Sequence, residues 1–225
     1  MQADVVLLPG LHGSTSLFDT FIALAPPWAR CRAIPLPIDT AQRFDALADA
    51  IEPQLRGLEG FVLFGESFSG PIAARLAARL GSKVALLVLC NPLVEVPAIA
   101  PSLLSPIIRS PMLPSWLVSF VMAGGDRRLA AAILREVRAL SAPILDERLA
   151  VVASASREDL LRHLAAPVLA VTGARDRLLS PKVIEDLFVH VPFGVVTSID
   201  APHLAAQASP AAVWRVITDE FEKAA

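Results

Sequence analysis

Only two cysteines, Cys31 and Cys90, occur in the 225 residues of this chain. That is too few for a disulfide framework and their spacing suits no metal ion, so each reads as a small buried apolar residue rather than a reactive thiol. No stretch approaches the ~18 uncharged apolar residues that a membrane-spanning helix requires. An excess of charge is lacking too: 20 Lys and Arg stand against 22 Asp and Glu, a formal net charge of −2. With no basic patch or charge run, nucleic acid and anionic membranes are poor candidates as partners. The first residues, Met1-Gln2-Ala3-Asp4, carry no basic leader before the apolar run at 5–8. A strand there leaves no room for a signal peptide, and the expectation is a cytoplasmic protein.

What is abundant is apolar side chain, 54% of the chain, mostly Ala, Leu and Val. That suits a well-filled globular interior, and the length suits one domain over 1–225. Short apolar runs at 5–8, 31–34, 61–64, 84–89, 168–172 and 195–199 alternate with helical patterns. Such alternation predicts βαβ units and a parallel sheet, and runs apolar at nearly every position predict helices on both faces. No half-polar alternation of a one-sided sheet is read in them.

The helices carry readable punctuation. Ser180-Pro181 and Ser209-Pro210 each read as an N-cap followed by Pro at the first helical position. Gly81 reads as the stop of a helix over 71–80. Residues 40–55 place Phe44, Leu47, Ile51 and Leu55 on one face, and Pro53 should kink or end that helix. Residues 91–156 break the pattern, with no strand signal. Prolines at 92, 97, 101, 106, 111 and 114 mingle there with large apolar residues, and a helical stretch follows Asp126. A segment too apolar for disorder and too long for a plain connection predicts a small helical cap inserted at about 91–156.

Candidate chemistry sits after the strand runs. The run at 61–64 enters Gly65-Glu66-Ser67-Phe68-Ser69-Gly70 and then a helix. A serine on so sharp a strand-to-helix turn is lifted above the sheet edge, and small neighbours are required by close backbone approach. This resembles the G-x-S-x-G nucleophile elbow of the α/β-hydrolase family, with Ser69 where the last Gly is usual. Leu7-Leu8-Pro9-Gly10-Leu11-His12-Gly13 resembles the family's motif after the first strand, commonly a His-Gly pair. Ala201-Pro202-His203-Leu204 follows the last strand, and Gly173-Ala174-Arg175-Asp176-Arg177 resembles the acid loop. The chain order Ser67, Asp176, His203 is the one associated with this fold.

The resemblance spans nearly the whole chain and implies a three-layer α/β/α architecture. Its mostly parallel sheet would have six strands, with the usual first hairpin missing, and a small helical cap. It implies Ser67 as nucleophile, His203 as general base, Asp176 as the carboxylate behind it, and Phe68 N–H as one oxyanion donor. The second donor is Leu11 N–H if Pro9-Gly10 matches the His-Gly pair, or Ser14 N–H if His12-Gly13 does. Asp200 and Glu95 compete with Asp176. Glu66 reads as a turn and packing residue, and His163 and His190 read as surface residues.

The implied function is hydrolysis of a carboxylic ester or thioester of a small, hydrophobic molecule through an acyl-enzyme, with no metal or cofactor. The same triad could serve C–C hydrolysis, lyase or acyltransferase chemistry, and a non-catalytic binding protein on this fold is a third reading.

Overall fold

The computed structural model describes residues 2–94, 101–157, 160, 163, 166–189 and 191–224. Six strands form one parallel sheet: β1 (Ala3–Leu8), β2 (Ala29–Ala33), β3 (Phe61–Glu66), β4 (Val84–Cys90), β5 (Val168–Gly173) and β6 (Gly194–Ile199). Their order across the sheet is β2-β1-β3-β4-β5-β6, every neighbour parallel. The chain steps outward from β1 to β2 and then returns to place β3 on the other side of β1. The carboxyl ends of β1 and β3 therefore flank a reversal in strand order, where an open parallel sheet leaves a crevice.

Side-chain alternation divides each strand between two helical layers. On one face Val5 and Leu7 of β1 join Phe21 of α1 (Asp19–Ala23) and Trp214 and Ile217 of α9 (Pro210–Ala224). On the other, Val6 and Leu8 join Leu47 and Ile51 of α2 (Phe44–Ile51), Ile72 and Leu76 of α3 (Gly70–Leu80), and Ile184 and Leu187 of α8 (Pro181–Phe188). The central strand β3 is buried at every residue. The architecture is thus three layers, α/β/α, with a sheet parallel throughout.

The edge strands depart from the expected all-apolar pattern. In β2, Ala29-Arg30-Cys31-Arg32-Ala33, the arginines are exposed while the residues between them are half-buried. The apolar run that begins at 31 hides this alternation, because the strand starts two residues earlier. Cys31 is accordingly half-buried, whereas Cys90, at the end of β4, is fully buried. Strand β6 is also mostly half-covered, its residues 194–198 lying at the sheet's other edge.

Helix ends follow the local chemistry. The α2 helix stops at Ile51, and Pro53 lies in the tight turn that follows. The α3 helix stops at Gly81, whose φ of +57° needs no Cβ. Ser180 occupies the N-cap position of α8, with Pro181 first in the helix, but its side chain makes no capping hydrogen bond.

Between β4 and β5 the described residues form α4 (Pro101–Arg109), α5 (Ser115–Met122), α6 (Arg127–Ala139) and α7 (Ala142–Ser154). Asp126 caps α6, its carboxylate accepting from the N–H groups of Arg128 and Leu129 at 2.8 and 3.0 Å. Ile133 and Val137 of α6 pack with Leu145 and Leu149 of α7, and Leu204 joins them from the loop after β6. This small apolar centre sets the helices over the carboxyl edge of the sheet.

Candidate active site

Strand β3 delivers Ser67 at its carboxyl end with φ of +48°, in the left-handed region. That conformation costs a non-glycine residue about 1–3 kcal/mol and persists only where its surroundings enforce it. Leu93 N–H donates to the Ser67 carbonyl at 2.9 Å from the far side. Two glycines permit the close packing. A Cβ on Gly65 would lie 2.7 Å from both Ala73 Cβ and the Ser69 carbonyl oxygen, and one on Gly70 would lie 2.8 Å from Pro92 Cβ. Ser69, the departure from the usual glycine, is buried, and its hydroxyl donates to the Pro9 carbonyl. It ties the turn to the loop after β1.

His203 and Asp176 reach Ser67 from the loops after β6 and β5. His203 Nε2 lies 3.0 Å from Ser67 Oγ, and His203 Nδ1 lies 2.8 Å from Asp176 Oδ2. Both side chains are about 1% exposed. The other carboxylate oxygen, Oδ1, accepts from the backbone N–H groups of Leu178 and Leu179 at 2.7 and 2.9 Å. An ionised carboxylate only accepts, so Nδ1 carries the imidazole proton and Nε2 is left to accept from the serine hydroxyl. Such an arrangement can take a proton from an attacking hydroxyl. The rival Asp200 points to solvent, its side chain 83% exposed, and pairs with Arg175 at 2.5 Å. Glu95 and His190 lie outside the described residues, and His163 sits in a turn, half-buried.

In the loop after β1 the carbonyls of Pro9, Gly10 and Leu11 are all occupied by donors. Gly13 N–H donates to the Gly10 carbonyl at 2.9 Å, closing a turn over Gly10–Gly13. Because the peptide is trans, the N–H of Leu11 points opposite to that occupied carbonyl. Ser14 N–H, the other candidate donor, is taken by His12 Nδ1 at 3.1 Å. Phe68 N–H lies at the start of the helical turn behind Ser67, where unpaired N–H groups and the helix dipole favour negative charge.

No protein-family model matches the sequence, and no curated protein matches it. Solved structures do. A hydrolase from Oleispira antarctica superposes with a TM-score of 0.84 at 14% identity, over 99% of this chain and 92% of that one. An esterase from Exiguobacterium antarcticum gives 0.83 at 13% identity, over 98% and 92%. An enol-lactonase from Burkholderia xenovorans LB400 gives 0.80 at 14% identity, over 99% and 92%. This chain has the α/β-hydrolase fold.

Three further buried polar residues shape the site in this α/β-hydrolase fold, of which Asn91 and Arg148 carry no signal in the sequence. Asn91, with φ of +42°, follows β4. Its amide donates to the His203 carbonyl at 2.7 Å and the Pro202 carbonyl at 3.3 Å, while its oxygen accepts from Gly173 N–H at 2.7 Å. One side chain thus ties the loop bearing Asp176 to the loop bearing His203. Arg148 of α7 is completely buried. Its guanidinium donates to the Leu11 carbonyl at 2.7 Å and to Gln42 Oε1 at 2.8 Å, and lies 6.0 Å from the Phe68 ring centroid. Burial pulls it down to about 10, so it stays charged at neutral pH. Gly13 makes room for it, since a Cβ there would meet Arg148 Nη1 at 2.5 Å. The third is Glu66, which belongs to the end of β3 rather than to a turn and is fully buried beside the cavity. Burial pushes its carboxyl up to about 6 against a hydrogen bond from Gln207.

The cavity over Ser67 has a volume of about 320 Å³. Its floor includes Gly10, Leu11, Ser67, Phe68 and His203, and its roof is built from apolar residues of α4 to α7, such as Ile108, Val118, Ile133 and Leu149. None of the described lining residues is Lys or Arg. Among the described residues no helix is long and apolar enough to cross a membrane.

Proposed function

We propose that this protein is a serine hydrolase cleaving a carboxylic ester or thioester of a small, hydrophobic substrate through an acyl-enzyme on Ser67. The observation that carries the reading is the unbroken chain Ser67 Oγ, His203, Asp176, with links of 3.0 and 2.8 Å, at the floor of an apolar cavity. Ser67 attacks the carbonyl while His203 Nε2 takes its proton, and Asp176 holds the imidazole in the required tautomer. The N–H groups of Leu11 and Phe68 receive the oxyanion. His203 then returns the proton to the leaving group, and water releases the acyl group by the same route in reverse order. Every reacting group but water and substrate comes from this chain, so no cofactor enters the scheme.

The solved neighbours include an esterase and an enol-lactonase, and a meta-cleavage product hydrolase is also among them. The elbow and triad serve all of these, so the cavity selects among them. A lining without Lys or Arg suits an uncharged acyl group, and the ester or thioester reading is preferred on that ground. The helices over the cavity act in this reading as a cap that excludes water from the acyl-enzyme.

Replacing Ser67 tests the reading. Ser67→Ala should lower turnover of p-nitrophenyl esters on the order of 10⁴-fold or more, with an unchanged circular dichroism spectrum. Near wild-type turnover in that variant would overturn it.

A further inference from the structure

His203 has the furthest to reach of the three side chains at the site. Its loop leaves β6 at the edge of the sheet, whereas Ser67 ends β3, three strands away in the order β3-β4-β5-β6. With strands ~4.8 Å apart, the gap to be crossed is roughly 14 Å, over the ends of β5 and β4. The link of 3.0 Å between His203 Nε2 and Ser67 Oγ tolerates little drift in a loop so extended.

Asn91 stands part-way along that path. It follows β4, between the strand of Ser67 and the strand of Asp176, and its N–H donates to the Val171 carbonyl at 2.8 Å. Its buried side chain meets both loops one step from the triad. Nδ2–H donates to the carbonyl of His203 itself at 2.7 Å. Oδ1 accepts from Gly173 N–H at 2.7 Å, and the Gly173 carbonyl accepts from Asp176 N–H at 2.9 Å. The loops press together at this point: a Cβ on Gly173 would lie 2.5 Å from the Ala201 carbonyl oxygen and 2.6 Å from that of Pro202. A carbonyl only accepts and an N–H only donates, so the junction needs a donor and an acceptor on one short side chain. Asparagine supplies both and tolerates the φ of +42° as few residues besides glycine do. Other bonds keep the loops folded without it, among them Ala205 N–H to the His203 carbonyl at 2.9 Å and Arg175 N–H to the Ala201 carbonyl at 3.0 Å. What Asn91 adds is a fixed distance between the two loops.

We propose that Asn91 is a positioning residue for the reaction, which sets the reach of the His203 imidazole between Asp176 and Ser67. The proposal rests on the hydrolase reading of Ser67 and deepens it. Asn91 touches no substrate; it acts through the backbone of His203 and the turn that carries Asp176.

Two variants and one spectrum test it. Asn91→Ala removes the amide, and Asn91→Gly removes it while relieving the left-handed backbone, which favours folding. Each should lower kcat for a p-nitrophenyl ester about 10²-fold with KM little changed, and slow labelling of Ser67 by a fluorophosphonate in proportion. The melting temperatures of the two should differ, while their kcat values should not. In the proton NMR spectrum the low-field resonance of His203 Nδ1–H, bonded to Asp176 in the wild type, should move upfield or be lost to exchange in both. A merely structural role would lower the melting temperature and leave kcat and that resonance of the folded protein unchanged. Near wild-type kcat in Asn91→Gly, a loss confined to KM, or an unaltered resonance would overturn the proposal. Failure of the hydrolase reading is distinguishable, since the wild type then turns over no ester and takes no label. The resonance needs no substrate and decides the role of Asn91 in that event too.

Discussion

Glu66 and His12 are both buried beside Ser67, yet burial moves their proton equilibria in opposite directions, because it disfavours whichever form is charged. Glu66 is raised from 4.5 to about 6, so between those values the folded protein binds more protons than the unfolded chain. Stability therefore falls as pH rises from about 4.5 to about 6, by roughly 2 kcal/mol, and stays lower above that window. Glu66→Gln removes the titration, and its melting temperature should gain on the wild type between pH 4.5 and pH 7.5. Parallel curves across that range would count against a buried carboxyl. His12 contributes in the other sense, losing stability as pH falls from 6.5 towards about 4.

At this scale Ser67, His203 and Asp176 were legible because each follows a strand run in a local motif. Asn91 and Arg148 were not, since their partners lie about 80 to 140 positions away and nothing local marks them. Ser69 was legible as a departure, but its hydroxyl bond to Pro9 depends on β1 and β3 being neighbours.

Among the helices between β4 and β5, α7 reaches the loop after β1 directly. Arg148 projects from it to the Leu11 carbonyl, and Glu147 beside it accepts from Gln42 N–H at 3.1 Å. Arg148 pairs with no carboxylate among the described residues, so its charge is compensated by carbonyl dipoles and the Phe68 ring. If the Leu11 N–H receives an oxyanion, Arg148→Met should lower kcat about tenfold with KM little changed, because the donor matters most in the transition state. Arg148→Lys, which keeps one donor for that carbonyl, should retain more activity. A raised KM at unchanged kcat, measured with the same ester, would place Arg148 in ground-state binding instead. The helices themselves were readable from their ends: Asp126, Pro53 and Gly81 act where their local chemistry dictates. The edge strand β2 was less so, because two arginines on its outer side obscured where it starts.

For the whole molecule, the strand order is what turns scattered residues into a site. Reversal of direction between β2 and β3 opens the crevice at the ends of β1 and β3, and the loops after β5 and β6 bring Asp176 and His203 to it. A parallel sheet under helices was legible from the alternation of apolar runs with helical patterns. The roof of the cavity was legible only as an apolar, proline-rich segment, because which of its side chains line the cavity is set by packing between four helices. In the proposed reaction Ser67 is an activated nucleophile within this assembly. Treating the folded wild-type protein with a fluorophosphonate and mapping the adduct by peptide mass spectrometry tests that most directly. One adduct, on Ser67, is the predicted result; an adduct on Ser69, or a protein left unlabelled, would contradict it.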